Sequence, residues 1–151
     1  MTDLRFATAL QMVLCLAVAQ ERAARCTSDE LAAGLGANPA LVRKLLVPLV
    51  RDGVVASTVG KKGGVRLARA ADKITLCDIY LAVVDNKKLL VPRNNVPNRC
   101  VVSGNIEVFF GLLAEDSEQA VLDVLADRTV ADSLAELRRM QAHVDHADTI
   151  A

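Results

Sequence analysis

The chain has 151 residues, 52% hydrophobic and 3% aromatic, with no Trp. That length fits one domain or a small domain with a helical appendage, and the apolar content excludes a disordered chain. The formal net charge of zero hides a split: residues 1–75 carry 11 Lys/Arg and 6 Asp/Glu, whereas residues 76–151 carry 7 and 12.

A core made mainly of Leu, Val and Ala favours packed helices over a sandwich. Leu4–Gln20 reads as the first, with Phe6, Leu10, Val13, Leu14 and Ala17 recurring at helical spacing. Its apolar run after Arg5 ends in Ala17-Val18-Ala19, which resembles the small-residue cleavage site of a secretory leader, but Asp3, Thr8 and Gln11 interrupt that pattern. The run also falls short of the roughly 20 apolar residues that span a bilayer. A buried first helix, with Cys15 packed between Leu14 and Leu16, is therefore expected. The protein is then cytoplasmic, where thiols stay reduced.

A polar linker, residues 21–27, holds Arg25 and Cys26. Thr27 or Ser28 caps a short helix over 28–35, with Leu31, Ala32 and Leu35 inward and Gly36 ending it. Asn38 then caps a new helix with Pro39 at its first position. Two helices joined by a Gly-containing turn form a helix-turn-helix. In the second, Leu41, Val42, Leu45, Leu46, Leu49 and Val50 are expected inward, leaving Arg43, Lys44 and Arg51 outward. Pro48 lacks an amide hydrogen, so a bend is expected there. Strands near 54–58 and 65–68 flank a tip of Gly60-Lys61-Lys62-Gly63-Gly64.

Thr75 caps a helix over Leu76–Asp85, and residues 86–103, with Pro92 and Pro97, read as a long irregular loop. A long helix follows from Gly104 to Asp127, presenting Ile106, Phe109, Phe110, Leu113, Val121, Leu122 and Val124. Thr129 caps a last helix, Val130–Met140, before a ragged tail. One protomer has little with which to cover the long apolar face. Residues 104–151 are thus expected to dimerise; a lid over the first helix is the alternative. The fold class is mainly α with a small β-hairpin wing. Residues 1–85 form a winged helix-turn-helix DNA-binding domain, 86–103 a loop and 104–151 the dimerisation helices and tail.

The cations carry the functional reading. Between residues 43 and 73 there are eight, against two anions. Arg43 and Lys44 lie in the early turns of the second helix, which contact base edges when such a helix enters the major groove. Asn38 at that helix's start joins the candidate set. Lys61 and Lys62 sit on a tip narrow enough for the adjacent minor groove, where cations are attracted. Arg5, Arg66 and Arg69 are placed to reach phosphates. The glycines of the tip also resemble a phosphate loop, but no helix follows to supply an anion-binding terminus.

The runs Leu31-Ala32-Ala33-Gly34-Leu35-Gly36, Asn38-Pro39-x-x-Val42-Arg43-Lys44-Leu45-Leu46 and Gly53-Val54-Val55 belong to a recognisable pattern. So do Gly60-x-x-Gly63-Gly64-x-x-Leu67-Ala68 and Ile74-Thr75-Leu76-x-Asp78-Ile79-Tyr80-x-Ala82-Val83. Together they resemble the Rrf-two (Rrf2) family of bacterial winged helix-turn-helix regulators, which includes the iron–sulfur cluster regulator and the cysteine-metabolism repressor. The stretch Cys100–Ile106 resembles one branch of it. The resemblance implies a homodimer, a recognition helix at 39–51, a wing at 54–68 and a long dimerisation helix. Two departures stand out: Val65 occupies a position where the family often has an aromatic, and the loop before the long helix holds Cys100 where cluster-binding members bring three cysteines together.

Cys15, Cys26, Cys77 and Cys100 have no metal-ligand spacing, which argues against an iron–sulfur cluster, and no cofactor is expected. Cys77 reads as buried. Cys26 and Cys100 each follow an arginine in a polar segment, and a neighbouring guanidinium favours the reactive thiolate. They are the redox-sensing candidates; two incidental cysteines are the plainer reading. His143-x-x-His146 has a ligand's spacing but lies in the tail. No third His, nucleophile elbow or carboxylate pair supports catalysis, and no base accompanies Cys100. The expectation is a non-enzymatic regulator with no membrane partner that represses, as a homodimer, from a two-fold symmetric operator on double-stranded DNA in response to an unnamed effector. The rival is a winged-helix protein-interaction module that does not bind DNA.

Overall fold

A computed structural model describes residues 4–85 and 88–150, with side chains as far as residue 144. The order is α1 (Arg5–Glu21), α2 (Ser28–Leu35), α3 (Pro39–Arg51), β1 (Val55–Thr58), β2 (Gly64–Leu67), a 3-10 turn (Ala71–Lys73), α4 (Leu76–Val83), α5 (Val101–Ala126) and α6 (Val130–Ile150). No helix among the described residues is long and apolar enough to cross a membrane.

Local chemistry sets the starts of the helices. Thr27 Oγ1 accepts from the Glu30 amide at 3.2 Å while the Thr27 amide donates to Glu30 Oε2 at 2.7 Å, a reciprocal cap that satisfies two otherwise orphaned donors. Thr75 and Asp78 repeat this device at α4. Asn38 Oδ1 accepts from the Ala40 amide at 2.8 Å, with Pro39 in the first turn. α3 continues through Pro48 to Arg51: the ring removes one donor, and the Asp52 amide still reaches the Pro48 carbonyl at 3.0 Å.

The α1 stripe of Ala9, Met12, Val13, Leu16 and Ala17 packs in one core with Val42, Leu45, Leu46 and Leu49 of α3. The hairpin adds Val55, Val65 and Leu67, and α4 adds Ile79, Ala82 and Val83. Val54 and Ile74 complete it from the connecting segments. Two expectations change here. Cys15 is exposed, because the buried stripe advances from Met12-Val13 to Leu16-Ala17 and passes it by. Val50 is 41% exposed, since Val42, Leu45, Leu46 and Leu49 already define the inward face of α3.

The strands pair antiparallel, with Val55 opposite Leu67 and Thr58 opposite Gly64. The tip closes through the Gly63 amide, which donates to the Gly60 carbonyl at 2.8 Å. A Cβ on Gly63 would lie 2.1 Å from the Thr58 carbonyl oxygen, so the turn requires glycine there.

From α4 onward the helices depart from expectation in four ways. α5 begins at Val101, so the irregular loop ends at Cys100 and not at residue 103. Cys100 itself caps the helix with Ser103, an unusual pair that the sequence pattern did not flag. α4 also stops at Val83, with Val84 extended, and α6 runs past Met140 to Ile150. The first turns of α6 enter the core through Val130 and Leu134. They are stitched there by the Leu76 amide to the Arg128 carbonyl and the Val130 amide to the Ile74 carbonyl, both at 2.9 Å. By contrast α5, 26 residues long, has Ala114 as its buried residue, while Phe109 and Leu112 are 63% and 58% exposed.

Candidate nucleic-acid interface

α2 and α3 form the helix-turn-helix, and the hairpin lies beside α3. Between them runs a groove of about 340 Å³, bordered by Arg25, Thr27, Ser28, Arg43, Ser57 and Thr58. Its polar walls come from the start of α2, the early part of α3 and the hairpin. The groove thus joins the two elements that the charge pattern singled out.

Lys44 projects from α3 into solvent. Arg43 is also exposed, with Nη1 at 3.1 Å from Asp29 Oδ1 of α2. An exposed pair of this kind contributes about 0–1 kcal/mol, so Arg43 can exchange it for a nucleic-acid acceptor at little cost. The Asn38 carboxamide oxygen is used in capping, which ties that residue to the start of α3. Lys61 and Lys62 are exposed on the hairpin tip. Arg66 lies on the outward side of β2, between buried Val65 and Leu67.

Two other arginines are engaged in bracing the fold. Arg5 Nη1 lies 2.7 Å from Asp85 Oδ2, linking the start of α1 to the segment after α4. Arg69 donates to the carbonyls of Gly53 at 3.1 Å and Lys73 at 3.0 Å and pairs with Asp78 at 3.3 Å. Those bonds explain its position without a phosphate. Arg25 was absent from the candidate set. Its guanidinium donates to the Gly63 and Lys61 carbonyls of the tip. Its partners lie too far along the chain for any local pattern to reveal.

The cysteines divide differently from the expectation. Cys26 is half-buried, and burial, with Glu30 and Cys15 adding to it, pushes its thiol up. Arg25 is turned toward the wing, so it does not supply the expected thiolate stabilisation. Burial, Asp78 and Asp123 likewise raise Cys77. Cys100 is exposed and lowered, by hydrogen bonds from the Ser103 side chain and then from the Ser103 and Val102 amides. The Ser103 amide lies 3.5 Å from Cys100 Sγ. The cause is the helix cap rather than Arg99.

This sets an expected labelling order. Below the ordinary thiol pKa, Cys100 carries a larger thiolate fraction than the other three cysteines, and the thiolate is the nucleophile. Mass-spectrometric timing of iodoacetamide labelling at neutral pH should find Cys100 first. Ser103→Ala should move the midpoint of its rate against pH upward. Equal rates at all four thiols would contradict the lowering of Cys100 by its cap.

A cluster-binding site does not fit these residues. Cys100 is the one cysteine in residues 86–103, and among the described residues no group of three His, Cys, Asp or Glu could hold a metal ion. His143 is exposed on α6, whereas the side chain of His146 lies outside the described residues.

Helix-turn-helix, hairpin wing and long following helix define a winged-helix transcriptional regulator. A family model described as Rrf2, iron-dependent transcriptional regulator, matches residues 2–136. The chain belongs to the Rrf2 family, and it is a regulator rather than an enzyme. It is 34% identical over 110 residues to YwgB of Bacillus subtilis, named as an HTH-type transcriptional regulator, covering 66% of this chain and 70% of that one. It is 36% identical over 78 residues to protein aau3 of Rhizobium meliloti, covering 52% of this chain and about half (49%) of that one. A transcriptional regulator from Lactobacillus plantarum superposes with a TM-score of 0.74 at 25% identity, covering 99% of this chain and 100% of that one. The IscR of T. potens has the same fold, with a TM-score of 0.68 at 20% identity and coverages of 93% and 90%.

Proposed function

We propose that the chain acts in the cytoplasm as a homodimer that binds a two-fold symmetric operator and represses transcription. Support comes chiefly from one observation: Arg43 and Lys44 on α3 and Lys61 and Lys62 on the wing are all exposed, and Arg43 shares one groove with Gly60, Gly63 and Gly64 of the wing tip. In this reading α3 enters the major groove, where Arg or Lys contacts to guanine carry sequence information. The wing lysines and Arg66 meet phosphates or the neighbouring minor groove and add mainly affinity. Two copies then address half-sites about 34 Å apart, or a multiple of that.

The exposed Cys100 thiol, lowered by its hydrogen bonds at the cap of α5, supports an oxidant response, with half-buried Cys26 as a second candidate. Cys100 borders a cavity of about 430 Å³, walled largely by Val91, Pro92, Val96, Ile106 and Phe110. There the thiolate would attack one oxygen of a hydroperoxide: an S–O bond forms as the O–O bond breaks, the sulfur is oxidised to a sulfenic acid, and the other oxygen leaves, protonated, as an alcohol or water. Loss of DNA binding after peroxide treatment, absent in Cys100→Ser, would bear this out; unaffected wild-type binding would defeat it.

The DNA reading is tested on duplexes selected from a random library, using fluorescence anisotropy. Arg43→Ala with Lys44→Ala should weaken the selected sequence by at least about tenfold, since each good base contact is worth roughly 1–3 kcal/mol. It should also flatten the preference between selected and scrambled duplexes. Failure of the wild type to enrich any sequence would favour a protein-interaction module instead.

A further inference from the structure

We infer that Arg25 is the positioning residue of the wing: it pre-sets the tip that carries Lys61 and Lys62 for DNA. The inference rests on the proposed DNA-binding role, but its geometry stands on its own. Arg25 lies in the linker between α1 and α2, yet its Nε donates to the Gly63 carbonyl and its Nη1 to the Lys61 carbonyl. Both acceptors are backbone atoms of the tip. The planar guanidinium presents its donors in a fixed fork, which suits two carbonyls two residues apart.

The adjoining backbone reinforces this attachment. The Val65 amide of β2 donates to the Cys26 carbonyl at 2.7 Å, so the linker runs against the hairpin immediately after Arg25. Gly64 permits that approach. A Cβ there would lie 2.8 Å from the Cys26 carbonyl oxygen and 3.4 Å from Arg25 Cγ. The linker and the wing are therefore fitted to one another at two successive residues.

An isolated two-stranded hairpin is marginal in water, and this one turns through a glycine-rich tip. Left free, the tip would have to be ordered when it met DNA, and that entropy would be subtracted from affinity. Bonds from a charged donor to two tip carbonyls remove much of that freedom beforehand. Arg25 acts through Lys61 and Lys62, so its effect on binding should depend on them.

Charge alone is the competing explanation, since Arg25 borders the same groove as Arg43. Arg25→Lys separates the two, because it keeps the charge and loses the fork. Using the full-length protein, anisotropy titrations over a range of salt would compare wild type, Arg25→Ala, Arg25→Lys, Lys61→Ala with Lys62→Ala, and the combination of Arg25→Ala with both lysine changes. Removing the lysines should lower the slope of log K against log salt by nearly two, about 0.9 for each lost phosphate contact. Arg25→Ala and Arg25→Lys should each weaken binding by about tenfold, and Arg25→Ala should add little once the lysines are gone. Full binding by Arg25→Lys, or a full additional loss in the combined variant, would overturn the inference.

Amide hydrogen exchange on the free protein tests the positioning without DNA. Backbone amides of residues 60–65 should exchange at least about tenfold faster in Arg25→Ala and Arg25→Lys, with core amides unchanged. Equal exchange at the tip would overturn the inference even if DNA binding fell. An unchanged salt slope on removing the lysines would instead defeat the wing's role in DNA binding, leaving the exchange result to decide whether Arg25 fixes the tip.

Discussion

Phe109→Asp combined with Leu112→Asp should leave the chain folded but monomeric, and bind a two-fold operator at least about a hundredfold more weakly. Neither side chain belongs to the core, and both are more than half exposed. They share α5 with exposed Val101, Val108 and Leu113, and Leu137, Met140 and Val144 are exposed on α6. Apolar surface on this scale usually marks an interaction site. A stable interface hides roughly 800 Å² on each partner, and buried aspartates without partners oppose its formation. A monomer reaches one half-site at a time and loses the avidity of linked sites, commonly about 10²–10⁴. Light scattering after size exclusion gives the mass, and anisotropy gives the affinity. A variant still dimeric at micromolar concentration would refute the α5 interface. An unfolded one would indicate that the face packs within its own chain.

Leu49→Ala carries the second large expectation, a loss of about 2–5 kcal/mol of folding stability. Leu49 is 0% exposed, and its carbonyl accepts from the Val54 amide at 2.9 Å where α3 hands over to the hairpin. Truncation removes buried methyl groups and leaves a cavity in the core that the fold can only partly close. Total stabilities of about 5–15 kcal/mol make such a loss easy to see in urea. The midpoint should fall while the slope holds. Val47→Ala, on the same helix but 69% exposed, should change stability by no more than about 0.5 kcal/mol. Equal effects at both positions would mean that the inward face of α3 has been misassigned.

Short-range chemistry was legible in the sequence. Asn38-Pro39, Thr75 and the glycines of the tip announced their caps and turn because all the interacting atoms lie within a few residues. The helix-turn-helix and wing followed from them. Long-range consequences were hidden. Nothing near Arg25 reveals carbonyls 36 and 38 residues later. Cys15 looked buried because its neighbours are apolar, but helical rotation puts it beyond the stripe they form. The start of α5 was misplaced because Cys100 and Ser103 perform a task usually given to an oxygen side chain and a carboxylate. The DNA contacts themselves still rest on charge and exposure, since the partner's shape decides which cations meet it.

The pairing of residues 74–76 with 128–130 makes α5 a lever. The helix ends just before that pairing, and Leu125 near its last turn packs against the core. Cys100 sits at the opposite end, about 39 Å away at roughly 1.5 Å per residue over 26 residues. A tilt of about 5° at the fixed end would sweep the far end through roughly 3 Å by the geometry of so long a rod. Read in the other direction, a displacement of that size at Cys100 demands only a slight rotation where α5 meets the winged domain. In the homodimer proposed above, chemistry at the thiol would therefore reach the winged domain in reduced amplitude, and its influence on half-site spacing would depend on how stiffly the second copy held the shaft between.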